Sequence, residues 1–169
     1  MPYEHIIHPI PPFYDGQSRI LVLGSFPSVK TRESGFFYGH PQNRFWKLMA
    51  ALFGEAEIPE TVPEKQAFAA RNHIALWDSI HACDIIGSSD SSIRNVIPND
   101  IRVILEAADI RMIVTNGKKS HEIYRKYCME QTGREDVCLP STSPANAAWT
   151  MEKLIGAWSV IRQFSGEQK

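Results

Sequence analysis

A chain of 169 residues, 43% hydrophobic and 22% charged, has the makeup of one soluble globular domain with a real core. No run approaches the ~20 apolar residues of a membrane helix, and the start, MPYEHIIHPIPPFYDG, lacks a signal peptide's basic head and apolar centre, so a cytoplasmic protein is expected. A net charge of −1 argues against a nonspecific nucleic-acid coat, and three scattered cysteines, Cys83, Cys128 and Cys138, read as reduced thiols rather than a disulfide framework.

In chain order, residues 1–18 carry Pro2, Pro9, Pro11 and Pro12 among apolar Ile6, Ile7, Ile10, Phe13 and Tyr14, which predicts an extended arm packed over the domain. Ile20 to Leu23 is a short apolar run with β-branched members, as a strand covered on both faces requires, and Gly24 ends it. Residues 25–41 hold too much Gly, Pro, Ser and charge to continue either period. A helix is expected from Pro41, with Phe45, Trp46, Leu48, Met49, Leu52 and Phe53 on one face and Gly54 as its stop.

Residues 55–63 read as a polar connector, 63–72 as a helix and 74–78 (IALWD) as a second strand. Residues 81–98 show no clear periodicity, and their GSSDSS centre, 87–92, reads as a loop. Asn99 or Asp100 caps a helix carrying Ile101, Ile104 and Leu105. A third strand is expected over 110–115, a turn at Asn116-Gly117, a helix over 118–130, a turn over 133–136 and a short fourth strand over 137–140. A closing helix from Ala145 carries Trp149, Leu154, Ile155, Trp158 and Ile161.

Apolar strands separated by helices imply an α/β fold, a three-layer α/β/α domain over 1–169 with a central four-stranded parallel sheet. Right-handed crossovers bring the loops after Gly24, Asp78, Thr115 and Pro140 to one edge, where open α/β sheets bind ligands.

Two of those loops carry a resemblance. Gly24-Ser25-Phe26-Pro27-Ser28, with Tyr38-Gly39-His40-Pro41-Gln42-Asn43-Arg44-Phe45-Trp46, resembles the first motif of the uracil-DNA glycosylase superfamily. Ser141-Thr142-Ser143-Pro144-Ala145-Asn146-Ala147 resembles its second, and the combination is most similar to the hypoxanthine-DNA (deoxyinosine) glycosylase branch. The resemblance implies a DNA repair glycosylase, active as a monomer on double-stranded DNA containing a deaminated base. One departure stands out. Related mismatch-specific uracil glycosylases place a water-positioning Asn where this chain has Phe26, which orients no water. The resemblance therefore passes the catalytic role to Asn43. Four-cysteine iron–sulfur branches are disfavoured by three cysteines, and no zinc spacing occurs, so no cofactor or metal is expected.

Excision of a base requires flipping its nucleotide out of the duplex. Tyr38 sits where related glycosylases place a stacking ring; its plainer role is a lid or core aromatic. Asn43 offers an amide oxygen to the attacking water, while also suiting a helix cap. Asp78, where the superfamily places a base-reading residue, offers an acceptor to the N1–H of hypoxanthine and none of the donors that adenine's bare N1 needs; it equally suits a turn cap. Gly24, Ser25, Phe26 and His40 complete the expected substrate pocket. Ser141, Ser143, Pro144, Ala145 and Asn146 are the expected minor-groove loop, with Arg44, Lys118 and Lys119 as candidate basic contacts. No lysine lies in the motif pieces, which argues against a Schiff-base lyase, so a monofunctional enzyme whose product is an abasic site is expected.

Competing readings are a mismatch-specific uracil-DNA glycosylase and, from another class, a non-catalytic nucleic-acid-binding module. A serine hydrolase fails because GSFPS is no Gly-x-Ser-x-Gly elbow, and a dinucleotide enzyme fails for want of G-x-G-x-x-G after the first strand.

Overall fold

A computed structural model describes residues 2–164, with side chains to residue 163. The expected single domain, 1–169, also takes in Met1 and residues 165–169, which lie outside the described residues.

Four strands form the predicted parallel sheet: β2 (Ile20–Gly24), β3 (Ile74–Asp78), β6 (Met112–Asn116) and β7 (Val137–Leu139), in the order β3-β2-β6-β7. Ile20, Leu21, Val22 and Leu23 have no exposed surface, the burial that an unbroken apolar run predicts. In register, Gly24 stands beside Asp78 and Leu23 beside Thr115, so the strand ends are level. The β2-to-β3 crossover carries α1 (Val29–Ser34), α2 (Phe45–Leu52) and α3 (Val62–Arg71). The β6-to-β7 crossover carries α5 (Lys118–Ile123), continued by a π turn over Tyr124–Cys128 and by α6 (Met129–Thr132). These crossovers run in opposite directions from neighbouring strands. Right-handedness therefore puts their helices on opposite faces, with a switch point between β2 and β6.

The helix expected from Pro41 is α2 and starts at Phe45, while α1 lies inside the 25–41 stretch expected to be irregular. The Arg44 N–H donates to the Thr142 carbonyl at 3.1 Å, and the Asn43 side chain takes the Phe45 N–H at 2.9 Å, so residues 40–44 form a turn tied to the distant second-motif loop. The last helix is likewise shorter than predicted. Residues 145–149 are turns, Thr150 caps α7 (Met151–Trp158) by accepting from the Lys153 N–H, and a 3-10 segment, Ser159–Phe164, follows. Phe45 and Trp46 of α2, Phe68 of α3 and Trp158 of α7 are buried in one core. Full burial of each large apolar side chain contributes about 1.5–3 kcal/mol.

A second sheet is new. Strands β1 (Glu4–Ile7), β4 (Ile80–Ile85) and β5 (Arg94–Pro98) pair antiparallel in the order β1-β4-β5. It corrects two expectations: the arm holds a strand, and residues 81–98 are mostly a hairpin around a short 3-10 turn, Asp90–Ser92. Beyond β1 the arm closes the open edge of β3, where Phe13 and Leu76 exchange backbone hydrogen bonds at 3.0 and 2.9 Å. Between β5 and β6 lies α4 (Arg102–Ala107). No described helix is long and apolar enough to cross a membrane.

Candidate active site

The switch point opens into a cavity of about 490 Å³, within the range of small-ligand pockets. Gly24, Ser25, Phe26, Tyr38, His40 and Asn43 border it from the first-motif loops. Asp78 enters from β3, Asn116 from β6, and Ser141 to Ala145 from the loop after β7. The antiparallel sheet adds a wall through Ile85, Ser88 and Asp90.

Asn43 is half-buried at the pocket edge, and its amide orientation follows from its partners. Its Oδ1 accepts from the Phe45 N–H at 2.9 Å and from the Thr142 hydroxyl at 2.8 Å. A backbone N–H only donates, so the atom facing it is the oxygen. The oxygen expected to accept from the attacking water thus already accepts twice within the protein, and Nδ2 has no hydrogen bond among the described residues. The Thr142 hydroxyl in turn accepts from Asn116 Nδ2 at 3.0 Å, and Asn116 Oδ1 accepts from the Thr142 N–H at 3.0 Å. Thr142 has no exposed surface. A buried relay thus joins β6, the second motif and the first.

Tyr38 has φ +56°, a left-handed conformation uncommon for a bulky residue. One ring face stacks on Phe45, with centroids 4.2 Å apart and planes 25° apart. The hydroxyl is buried and meets no partner in bonding geometry. The Asn116 carboxamide keeps one N–H and one lone pair beyond its two bonds to Thr142, and lies close enough to pull the phenol's pKa down. Burial, reinforced by the Asp78 carboxylate, pushes this phenol far above its usual pKa and keeps it neutral.

Asp78 is buried. Its Oδ2 lies 2.7 Å from His8 Nε2. Its Oδ1 approaches Gly24 so closely that a Cβ there would sit 2.3 Å from it, which only glycine tolerates. Ser25 donates to Asp90 at 3.4 Å, a long bond. Burial of the Asp90 carboxyl raises its pKa, Lys119 and Ser25 oppose the rise, and Asp78 adds to it. Phe26 is buried against the edge of the His8 ring. His40 closes its own turn, Nδ1 accepting from the Gln42 N–H at 3.1 Å.

The second-motif loop is braced internally. Ser141 Oγ accepts from the Ser143 N–H and Ser143 Oγ from the Ala145 N–H, both at 3.1 Å. Asn146 Nδ2 donates to the Ser141 carbonyl at 3.0 Å. Arg44, expected as a basic contact to DNA, is committed within the protein: the guanidinium donates to the carbonyls of Ser143, Asn146 and Trp149 and clamps this loop onto the start of α2. Lys118 and Lys119, at the start of α5, lie outside the pocket lining.

The sequence reading missed His8, Asp90, Asn116 and Thr142. Thr142 lay inside a motif already singled out, and Asp90 was the one acid in a serine run. His8, in the proline-rich arm, gave no local signal.

The family model of the uracil DNA glycosylase superfamily matches residues 11–162. A protein of Methanosarcina barkeri named hypoxanthine DNA glycosylase is 32% identical over 137 residues, 80% of this chain and 85% of that one. One of the same name from Methanosarcina acetivorans is 33% identical over 144 residues, 85% and 90% of the two chains. A solution NMR structure from Methanosarcina acetivorans, provisionally named a uracil DNA glycosylase, superposes with a TM-score of 0.78 at 31% identity, covering 94% of this chain and 98% of that one. With the motif loops gathered around one cavity and the family model spanning both, the chain belongs to the uracil DNA glycosylase superfamily and is a DNA glycosylase, a hydrolase of N-glycosidic bonds.

Proposed function

We propose that this glycosylase removes a deaminated base from duplex DNA, hypoxanthine foremost, and leaves an abasic site. The observation that carries the reading is one cavity lined by Asp78, Asn43 and Tyr38, in which Asp78 Oδ2 and Asn43 Oδ1 are already bonded within the protein, so that Asp78 Oδ1 and Asn43 Nδ2 are the atoms we assign to the base. The names of the two archaeal relatives support it.

Flipping a nucleotide costs a few kcal/mol, least for a mispaired base such as hypoxanthine opposite thymine. Stacking on the free face of Tyr38 returns about 1–3 kcal/mol. Asp78 accepts from hypoxanthine N1–H and meets only a lone pair on adenine. As the bond breaks, negative charge grows on the departing base, and Asn43 Nδ2 is a fixed donor for it. Phe26 offers the water nothing and the Asn43 oxygen already accepts twice, so Asp90, a carboxylate on the same pocket, is the acceptor we assign to the attacking water. Lys30 on the rim and the braced 141–146 loop face the DNA.

The test is release of hypoxanthine, xanthine or uracil from otherwise identical duplexes, with alkali revealing abasic sites. Preferential hypoxanthine release is expected. A preference for uracil replaces this substrate by the mismatch-uracil reading, since Asp78 accepts from uracil N3–H equally well. Release of none of them leaves the binding-module reading.

A further inference from the structure

We propose that His8, carried by the N-terminal arm, is a positioning residue for base recognition. Its Nε2–H holds Asp78 Oδ2, and so leaves Oδ1 as the acceptor presented to the flipped base. The proposal rests on the glycosylase reading above and adds a residue outside both motifs.

The ring is clamped from several sides. Strand β1 pairs with β4 as far as Ile7 opposite Ala82, and the His8 N–H then donates to the His81 carbonyl at 2.7 Å. The next turn of chain brings the Ile10 N–H to His8 Nδ1 at 3.2 Å. A donor facing Nδ1 requires a lone pair there, so the ring proton is on Nε2, facing Asp78 Oδ2 at 2.7 Å. Phe26 packs edge-on at 5.7 Å and Phe37 lies at 6.2 Å, centroid to centroid. The side chains of His8 and Asp78 are 2% and 6% exposed. The charge-assisted bond is therefore shielded from water, where its geometry is strictly held.

What the bond prevents follows from the neighbouring groups. The Tyr38 hydroxyl is a buried donor with no partner, and it lies 3.5 Å from the point where a Gly24 Cβ would stand, the point that Asp78 Oδ1 approaches to 2.3 Å. Without His8 the carboxylate is drawn to that hydroxyl, and its reading oxygen is consumed. A neutral imidazole on the far oxygen keeps the two apart and Oδ1 aimed at the base. Among the described residues the hydrogen bond to this carboxylate is to Oδ2, and Oδ1 accepts none.

The experiment uses the full chain with His8→Leu, which fills the space without a donor, and His8→Gln, which restores one. Two readouts are taken: single-turnover release of hypoxanthine, and affinity for a duplex carrying a tetrahydrofuran abasic site, which presents no base edge. His8→Leu is expected to slow release about tenfold or more, the effect of one charge-assisted hydrogen bond, with abasic-duplex affinity within about twofold of wild type. His8→Gln recovers the rate to within about threefold. In an Asp78→Asn background, His8→Leu changes the rate by less than about twofold, because its only route of action is gone. A His8→Leu rate equal to wild type, a parallel loss of abasic-duplex binding, or full additivity with Asp78→Asn overturns the proposal. Should His8→Leu not fold, His8→Gln decides alone: a rate about tenfold low with abasic binding intact refutes the donor role. A wild-type protein that releases no hypoxanthine sinks the substrate reading together with this one, whereas an active wild type with unaffected His8 variants sinks this one only.

Discussion

Replacing Asn43 with aspartate separates the two ends of one amide. Oδ1 holds the Phe45 N–H and the Thr142 hydroxyl, and a carboxylate oxygen keeps both bonds. Stability is expected to hold or to gain about 0.3–1 kcal/mol, because negative charge at the start of α2 suits the helix dipole. In a protein of this size that gain is about 1–4 °C in Tm. What changes is the cavity side, where two N–H donors become an acceptor. Loss of one preorganised donor to developing charge costs about 10²–10³ in rate, ~2.7–4 kcal/mol. The assay is single-turnover release of hypoxanthine from a labelled duplex, beside a thermal melt of the same preparation. Asn43→Ala provides the contrast. It loses the donor and also the turn at α2, about 1 kcal/mol, and it strands the buried Thr142 hydroxyl, so it melts below both. An aspartate variant that keeps its rate to within about threefold of wild type would show that the oxygen is the working atom and would refute the donor assignment.

Thr142→Val removes a buried hydroxyl that bridges Asn116 and Asn43 without changing shape; a loss of about 1–3 kcal/mol in denaturant unfolding at constant m is expected, and no loss would disprove the relay. Tyr38→Phe deletes a buried hydroxyl that lacks a partner while keeping the stack on Phe45, so it is expected to raise stability by about 1 kcal/mol, some 2–4 °C in Tm, and a fall in Tm counts against the orphan assignment. Burial raises the Asp90 pKa in the folded protein. A carboxyl so shifted favours the fold while protonated and withdraws that help as pH rises through its native pKa. Asp90→Asn should therefore melt above wild type at pH 7.5, with the gap closing towards about pH 4; a gap that widens on acidification contradicts the sign.

The parallel sheet was legible because three of its four strands announce themselves locally. ILVL, IALWD and IRMIVT are mainly apolar runs, as burial on both faces requires, whereas the short edge strand β7 is exposed at two of its three residues. Convergence of the loops expected after Gly24, Asp78, Thr115 and Pro140 then follows from the handedness of crossovers, which brings Tyr38, Asn43, Asp78 and the 141–146 loop to one edge. The antiparallel sheet was illegible for the opposite reason. His81 and Asp84 interrupt β4, its pairing with β5 shifts register twice, and β1 is exposed along three of its four residues, so no clean period of two survives.

The sequence by itself determined which residue types meet at the switch point, since local hydrophobic pattern and chain handedness are short-range properties. Only the tertiary structure decided which atom of each residue is held within the protein. Asn43 Oδ1 is held by a threonine 99 positions away, Asp78 Oδ2 by a histidine 70 positions earlier, and the Arg44 guanidinium by three carbonyls of a remote loop. A hydrogen bond depends on the partner that reaches it, and for these side chains the partner is chosen by the packing of distant segments, which no local pattern encodes.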